Sequence, residues 1–251
     1  VSDDGVAEVA ARLAAARRRL RAAEASAGRP PGSVRLLLAT KTMEAAVVRA
    51  ALVADRDGTD RPAGELPVLV GENRVQELVA KAPELADLAP GWHVIGPLQS
   101  NKVNAALRWA ACVQSVDDLA LAERLQRRCE AVDRTLEVLV QVNVSGEATK
   151  SGVPPAAAAD LAVRVAALDR LRLRGFMTIG ARSPDEGVVR AGFAALRDVR
   201  DEVLARGAPG TADAGELSMG MSGDLEAAVA EGATLVRLGT AVFGARPAAP
   251  A

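Results

Sequence analysis

Residues 34–40 read VRLLLAT, an almost unbroken apolar run of strand length. Just ahead of it stand Gly28 and then Pro30-Pro31-Gly32, a stretch that no helix can cross. A strand with one solvated face alternates apolar and polar residues; this one does not. Both of its faces are therefore expected to be buried, as in a parallel sheet covered by helices. Similar runs recur at residues 68–71, 92–96, 112–116, 136–143, 171–179, 216–220 and 235–240. Between most neighbours lies a longer segment with apolar residues at helical spacing, such as Leu121/Leu125/Cys129 or Phe193/Leu196/Val199/Val203. Residues 4 to about 27 predict a leading helix, carrying Val6, Val9, Leu13 and Leu20 and capped by Asp3 or Asp4. Eight strand–helix repeats behind one extra N-terminal helix predict a (β/α)8 TIM barrel. A doubly wound open sheet is the competing arrangement.

The chain has 251 residues, a length that one closed α/β barrel accounts for. One domain is expected over residues 1–246, with a disordered tail over 247–251. Residues 55–67 (DRDGTDRPAGELP) are polar and rich in Gly and Pro, and read as a mobile surface loop. Formal net charge is −1, which gives no electrostatic reason to expect nucleic-acid or anionic-membrane binding. No uncharged apolar run reaches the length of about 18 residues that a membrane helix needs. The N-terminus, VSDDGVAEVAARL, is acidic and does not read as a secretory signal. Cys112 and Cys129 are the only cysteines and His93 the only histidine, so a Cys/His zinc site is not expected. Two cysteines without a CxxC pair suit packing roles in a reducing cytoplasm. Tyrosine is absent, so no mechanism can draw a phenol from this chain.

In such a barrel the chemistry sits at the C-terminal ends of the strands. Lys41 follows the first apolar run, where it either reaches solvent or, as a neutral amine, attacks an aldehyde to form a Schiff base. Ser218-Met219-Gly220-Met221-Ser222-Gly223-Asp224 packs glycines and hydroxyls into a strand-to-helix turn, and Gly239-Thr240 adds donors from the next loop. Together these suit a phosphate better than ordinary turn chemistry does. Arg237 lies inside an apolar strand, which implies either a role at the mouth or a structural ion pair. An amine, a phosphate cradle and a fixed donor suit an aldehyde-bearing phosphorylated ring, pyridoxal 5′-phosphate.

The segments LLLATKT, GENRVQEL, WHVIGPLQSNKV, VNVSGEATKSG, LRGFMTIG, LSMGMSGDLEAAVAEGAT and VRLGTAVFG resemble the pyridoxal phosphate homeostasis protein family, whose fold is that of the alanine racemase N-terminal domain. The matches run in order from about residue 34 to 246. The resemblance implies that Lys41 carries the Schiff base. It also implies that Ser218, Ser222, Gly239 and Thr240 surround the phosphate, that Arg237 faces the pyridine nitrogen, and that Asn73 lines the cofactor edge. Residues 55–67 are longer than the family's usual connection. His93 reads equally as a hydrogen-bonded interior residue or a catalytic one. Lys150 reads as a solvated loop lysine sooner than as a participant in cofactor transfer. Glu72 and Asp224 could form an acid pair, though a surface salt bridge or a helix cap explains each more simply.

Two functions compete. One is a carrier that holds pyridoxal phosphate and delivers it to apo-enzymes, as a cytoplasmic monomer with no committed turnover. The other is a racemase-like enzyme of low activity. A lysine-dependent phosphosugar aldolase uses the same fold logic but leaves the family motifs unexplained. The resemblance implies racemases that take a second acid/base from a tyrosine on a separate C-terminal β domain. This chain has no tyrosine. No established catalytic residue and no metal are expected.

Overall fold

The computed structural model describes residues 2–58, 61, 65–147 and 150–244. Eight parallel strands pair in chain order and close on themselves: β1 (Arg35–Ala39), β2 (Leu69–Glu72), β3 (Trp92–Val94), β4 (Cys112–Val116), β5 (Leu136–Gln141), β6 (Leu171–Met177), β7 (Glu216–Ser218) and β8 (Leu235–Leu238). β8 closes the ring on β1 with Leu37 opposite Arg237. The helices are α1 (Asp3–Ser26) ahead of the barrel, then α2 (Ala45–Asp57), α3 (Val75–Lys81), α4 (Val103–Leu107), α5 (Leu119–Ala131), α6 (Pro155–Ala166), α7 (Glu186–Arg206), α8 (Leu225–Ala230) and α9 (Thr240–Phe243). The closed barrel settles the choice against an open doubly wound sheet.

Closure explains the unbroken apolar runs. Alternate residues of β1, Leu36 and Leu38, join the large cluster packed against the helices, while Leu37 between them points into the barrel with Leu69, Ile95 and Leu235. A second interior cluster joins Cys112, Leu139 and Met177. Both cysteines are free and buried. Side-chain alternation at period two thus alternates between two apolar environments rather than between core and water.

Five strands stop two residues before the apolar runs do, at 94, 141, 177, 218 and 238. The residues beyond, including Gly96, Asn143, Gly220 and Gly239, leave the ladder to build the mouth. The leading helix is capped by Ser2, whose Oγ accepts from the Gly5 N–H at 3.3 Å; Asp3 and Asp4 lie in the first turn, where they complement the helix dipole. Among the described residues no helix is long and apolar enough to cross a membrane.

Residues 55–67 differ from the expected surface loop. Asp55 is in the last turn of α2 and buried. Arg17 of α1, also buried, pairs with Asp55 and with Glu65, the latter at 2.6 Å. Asp55 also accepts from the Val68 N–H at 3.1 Å, which ties the segment's exit to β2. One guanidinium therefore fixes both ends of this segment. Residues 59, 60, 62–64 and the expected tail at 247–251 lie outside the described residues.

Removing Arg17 leaves the buried Asp55 carboxylate with the Val68 N–H but without a cation. Arg17→Met is expected to lower the unfolding free energy by about 3–5 kcal/mol, the usual cost of breaking a buried pair from one side. Urea denaturation measures this, and a midpoint equal to that of the unmodified chain would show the cluster to be neutral.

Candidate functional site

The strand ends surround a cavity of about 460 Å³. Lys41, Asn73, Ser222, Arg237, Gly239 and Thr240 all line it, brought together from the ends of four strands. Ser218 does not: it is fully buried below the mouth, so its hydroxyl does not face the cavity as expected for a phosphate contact. Lys150, expected in solvent, lines the cavity instead. Its Nζ donates to Glu147 at 2.7 Å and to the Gly180 carbonyl at 3.1 Å.

Arg237 shares the inward parity of Leu235, and parity carries its guanidinium into the barrel. There Nη1 donates to Ser218 Oγ at 2.8 Å and Nη2 to the Thr178 carbonyl at 2.6 Å. Ser218 Oγ donates in turn to Gln114 Oε1 at 2.6 Å, and Gln114 Nε2 lies 2.7 Å from His93 Nδ1. The direction of this relay follows from its first member. A guanidinium only donates, so Ser218 must pass its own proton to the Gln114 carbonyl; the Gln114 amide nitrogen then donates to His93. His93 is left neutral, with its proton on Nε2. Burial pushes the His93 pKa down to about 3, with a further push from Arg35. Burial likewise lowers Arg237 to about 10, against the weaker pull of Asp224, so the guanidinium remains cationic at neutral pH. Both of its hydrogen bonds go to neutral acceptors, which sets aside the structural ion pair.

The loop after β7 is shaped by Gly220, whose φ is +90°. A Cβ there would fall 2.4 Å from the Cβ of Ala228, so only glycine lets the loop lie against α8. Ser222 Oγ accepts from Thr240 Oγ1 at 3.2 Å and from the Ala241 N–H at 3.3 Å, joining the loops after β7 and β8. Arg19 of α1 donates to the Ser222 carbonyl at 2.7 Å and pairs with Glu226 at 2.6 Å. Asp224 accepts from the Met221 N–H at 2.5 Å and so folds its own loop. It forms no pair with Glu72. Glu72 is fully buried rather than on the surface, with Lys81 Nζ at 2.7 Å. Asn73 is set by a close approach: a Cβ on Gly96 would fall 2.3 Å from the Asn73 carbonyl oxygen. Arg19, Lys81 and Gln114 escaped the sequence reading. Only Gln114 left a trace there, as a polar residue inside an apolar strand.

The family model described as alanine racemase, N-terminal domain, matches residues 11–247. A Pseudomonas aeruginosa protein named pyridoxal phosphate homeostasis protein is 45% identical over 242 residues, covering 96% of each chain. The chain belongs to the pyridoxal phosphate homeostasis protein family. A crystal structure of an unknown protein from Bifidobacterium adolescentis shares its fold with a TM-score of 0.90 at 44% identity, covering 97% of each chain. The structure of PipY of Synechococcus elongatus with pyridoxal phosphate bound has a TM-score of 0.77 at 35% identity and covers 94% of this chain and 100% of its own. Family membership thus spans the whole barrel, including every strand end that contributes to the mouth.

Because His93 is the sole histidine, its ring reports on the relay without overlap. Nitrogen-15 NMR is expected to show a neutral ring protonated on Nε2 that does not titrate between pH 8 and about 4, given its pKa of about 3. The unfolded chain takes up that proton near pH 6.5. His93 therefore makes stability fall as pH drops below about 6.5, by up to about 1.4 kcal/mol per pH unit. A normal titration near pH 6.5 would mean that the relay does not form.

Proposed function

We propose that the protein holds pyridoxal 5′-phosphate in this cavity and delivers it to apo-enzymes, with the cofactor tethered to Lys41 as a Schiff base. The observation that carries the reading is the donor set. An amine (Lys41), two hydroxyls 3.2 Å apart (Ser222 and Thr240) and a buried guanidinium (Arg237) converge on one cavity. They match an aldehyde, a phosphate and a ring nitrogen. Gly239 supports the phosphate end and Asn73 the ring edge. Ser218 serves the ring end in this reading: its hydroxyl orients Arg237 and leaves the phosphate to Ser222 and Thr240. The PipY structure with pyridoxal phosphate supports the choice of cofactor.

Tethering joins Lys41 Nζ to the aldehyde carbon, and the aldehyde oxygen leaves as water; hydrolysis reverses both steps and frees the cofactor unchanged. When bound, pyridoxal phosphate supplies an electrophilic aldehyde on an electron-withdrawing ring. Arg237 donates a hydrogen bond to the ring nitrogen and cannot accept a proton, which disfavours strong electron withdrawal. The chain has no tyrosine to serve as a second acid/base. These two features favour carriage over racemisation. Two free buried cysteines suit the cytoplasm.

Borohydride reduction of the loaded protein followed by peptide mapping is expected to place the label on Lys41. A label on Lys150 or Lys102 would overturn the assignment. Incubating the loaded protein with L-alanine in heavy water tests the carrier reading. Loss of the Cα proton, followed by NMR, should fall far below the turnover of ordinary enzymes, which is about 1 s⁻¹ or faster. Exchange at that rate, with D-alanine appearing, would favour the racemase-like alternative.

A further inference from the structure

The two residues beside Lys41 are each held by hydrogen bonds, and the groups that hold them lie outside the cavity. On the N-terminal side, Thr40 is fully buried and its Oγ1 donates to Glu72 Oε1 at 2.6 Å. The Thr40 carbonyl accepts from Lys81 Nζ at 2.8 Å. On the C-terminal side, the Thr42 N–H donates to Glu77 Oε2 at 2.7 Å. Thr42 has φ of +65°, a left-handed conformation that a β-branched residue adopts only under constraint. Lys81 Nζ lies 2.7 Å from Glu72 and 3.4 Å from Glu77, so one ammonium joins the groups that hold both flanks. Glu77 and Lys81 stand four residues apart on α3, on one helix face.

We infer that Glu77 and Lys81 are positioning residues for Lys41: they hold its turn in the left-handed geometry that aims the amine into the cavity. Lys81 fixes the carbonyl before Lys41 and Glu77 the amide after it. The peptide units on both sides are thereby set before any ligand arrives. Burial pushes the Glu77 carboxyl up, but the Thr42 N–H and Lys81 outweigh it and hold the group below the ordinary carboxylate range. Glu77 is thus ionised at neutral pH and accepts the Thr42 N–H as a charge-assisted bond. Without that bond Thr42 relaxes toward the β region, and the Lys41 side chain turns with it. The lysine of the site is carried on a short strained turn, and its direction comes from the neighbouring β2–α3 unit.

The inference rests on Lys41 as the tethering lysine, and the test keeps the two apart. Glu77 is about a quarter exposed, so its variants are expected to fold. For Glu77→Ala, three measurements are compared with the unmodified chain: pyridoxal phosphate affinity by equilibrium dialysis, amide hydrogen exchange at Thr42, and the borohydride label. The expected result is a folded protein in which the Thr42 amide loses its protection. Its affinity falls about tenfold, the scale of one lost charge-assisted hydrogen bond, and less label reaches Lys41. Glu77→Gln keeps an acceptor for Thr42 and should restore affinity to within about twofold of the unmodified chain. Lys81→Met should act in the same direction as Glu77→Ala. Affinity unchanged in a folded Glu77→Ala, or Glu77→Gln as weak as Glu77→Ala, overturns the brace. A label away from Lys41 in the unmodified chain overturns the tether and the brace together; a label on Lys41 there with Glu77→Ala unaffected overturns the brace alone.

Discussion

A guanidinium shut inside a barrel needs acceptors, and Arg237 sets that demand here. Strand parity places it inward, and burial removes water as a partner. Its neutral acceptors are Ser218 and the Thr178 carbonyl. Satisfying Ser218 then engages Gln114, and satisfying Gln114 engages His93. The polar layer beneath the mouth therefore follows from one buried cation whose hydrogen bonds can run in one direction only. The apolar cluster of Leu37, Leu69, Ile95 and Leu235 packs the barrel interior beside it. The result is a donor fixed before any ligand is present, which is the condition for an oriented contact to contribute its full strength.

The outer elements serve the same end. α1 is not part of the repeating βα pattern, yet it reaches two distant segments. Through Arg19 it holds the Ser222 carbonyl and Glu226, so the loop between β7 and α8 is tied from outside the barrel. Through Arg17 it secures both ends of the segment at residues 55–67. Ser222 and Thr240 then link the last two loops to each other. At the opposite side of the mouth, the β2–α3 unit constrains the turn that bears Lys41. Lys41, Ser222 and Arg237 thus lean on residues that do not face the cavity, and Thr240 leans on Ser222.

Much of this was legible in the sequence, for particular reasons. Near-continuous apolar runs such as LVRL and RLLLA point to strands covered on both faces, and their eightfold alternation with helical segments pointed to the barrel; its closure over an open sheet came from the structure. Lys41, Ser222, Gly239 and Thr240 were visible because they sit at or just beyond the ends of such runs, where the mouth must be. Ser218 was placed at the phosphate because the loop reads as one motif. Yet it still belongs to β7, and its inward parity carries its hydroxyl to Arg237 instead. Lys81, Glu77 and Arg19 left no readable trace. Their partners are remote or depend on a left-handed backbone at Thr42, and ordinary helix-face charges look the same in a sequence. Asp55 was hidden for the opposite reason: polar, Gly- and Pro-rich neighbours masked a buried carboxylate paired with Arg17.

In the function proposed here, a preset donor set receives pyridoxal 5′-phosphate in one orientation. The most direct measurement is a crystal structure of this protein with the cofactor bound. The expected result is continuous density from Lys41 Nζ to the former aldehyde carbon, the phosphate between Ser222 and Gly239-Thr240, and Arg237 against the ring nitrogen with its Ser218 contact intact. A phosphate seated instead beside Lys150, or a ring without a bond to Lys41, would contradict this orientation.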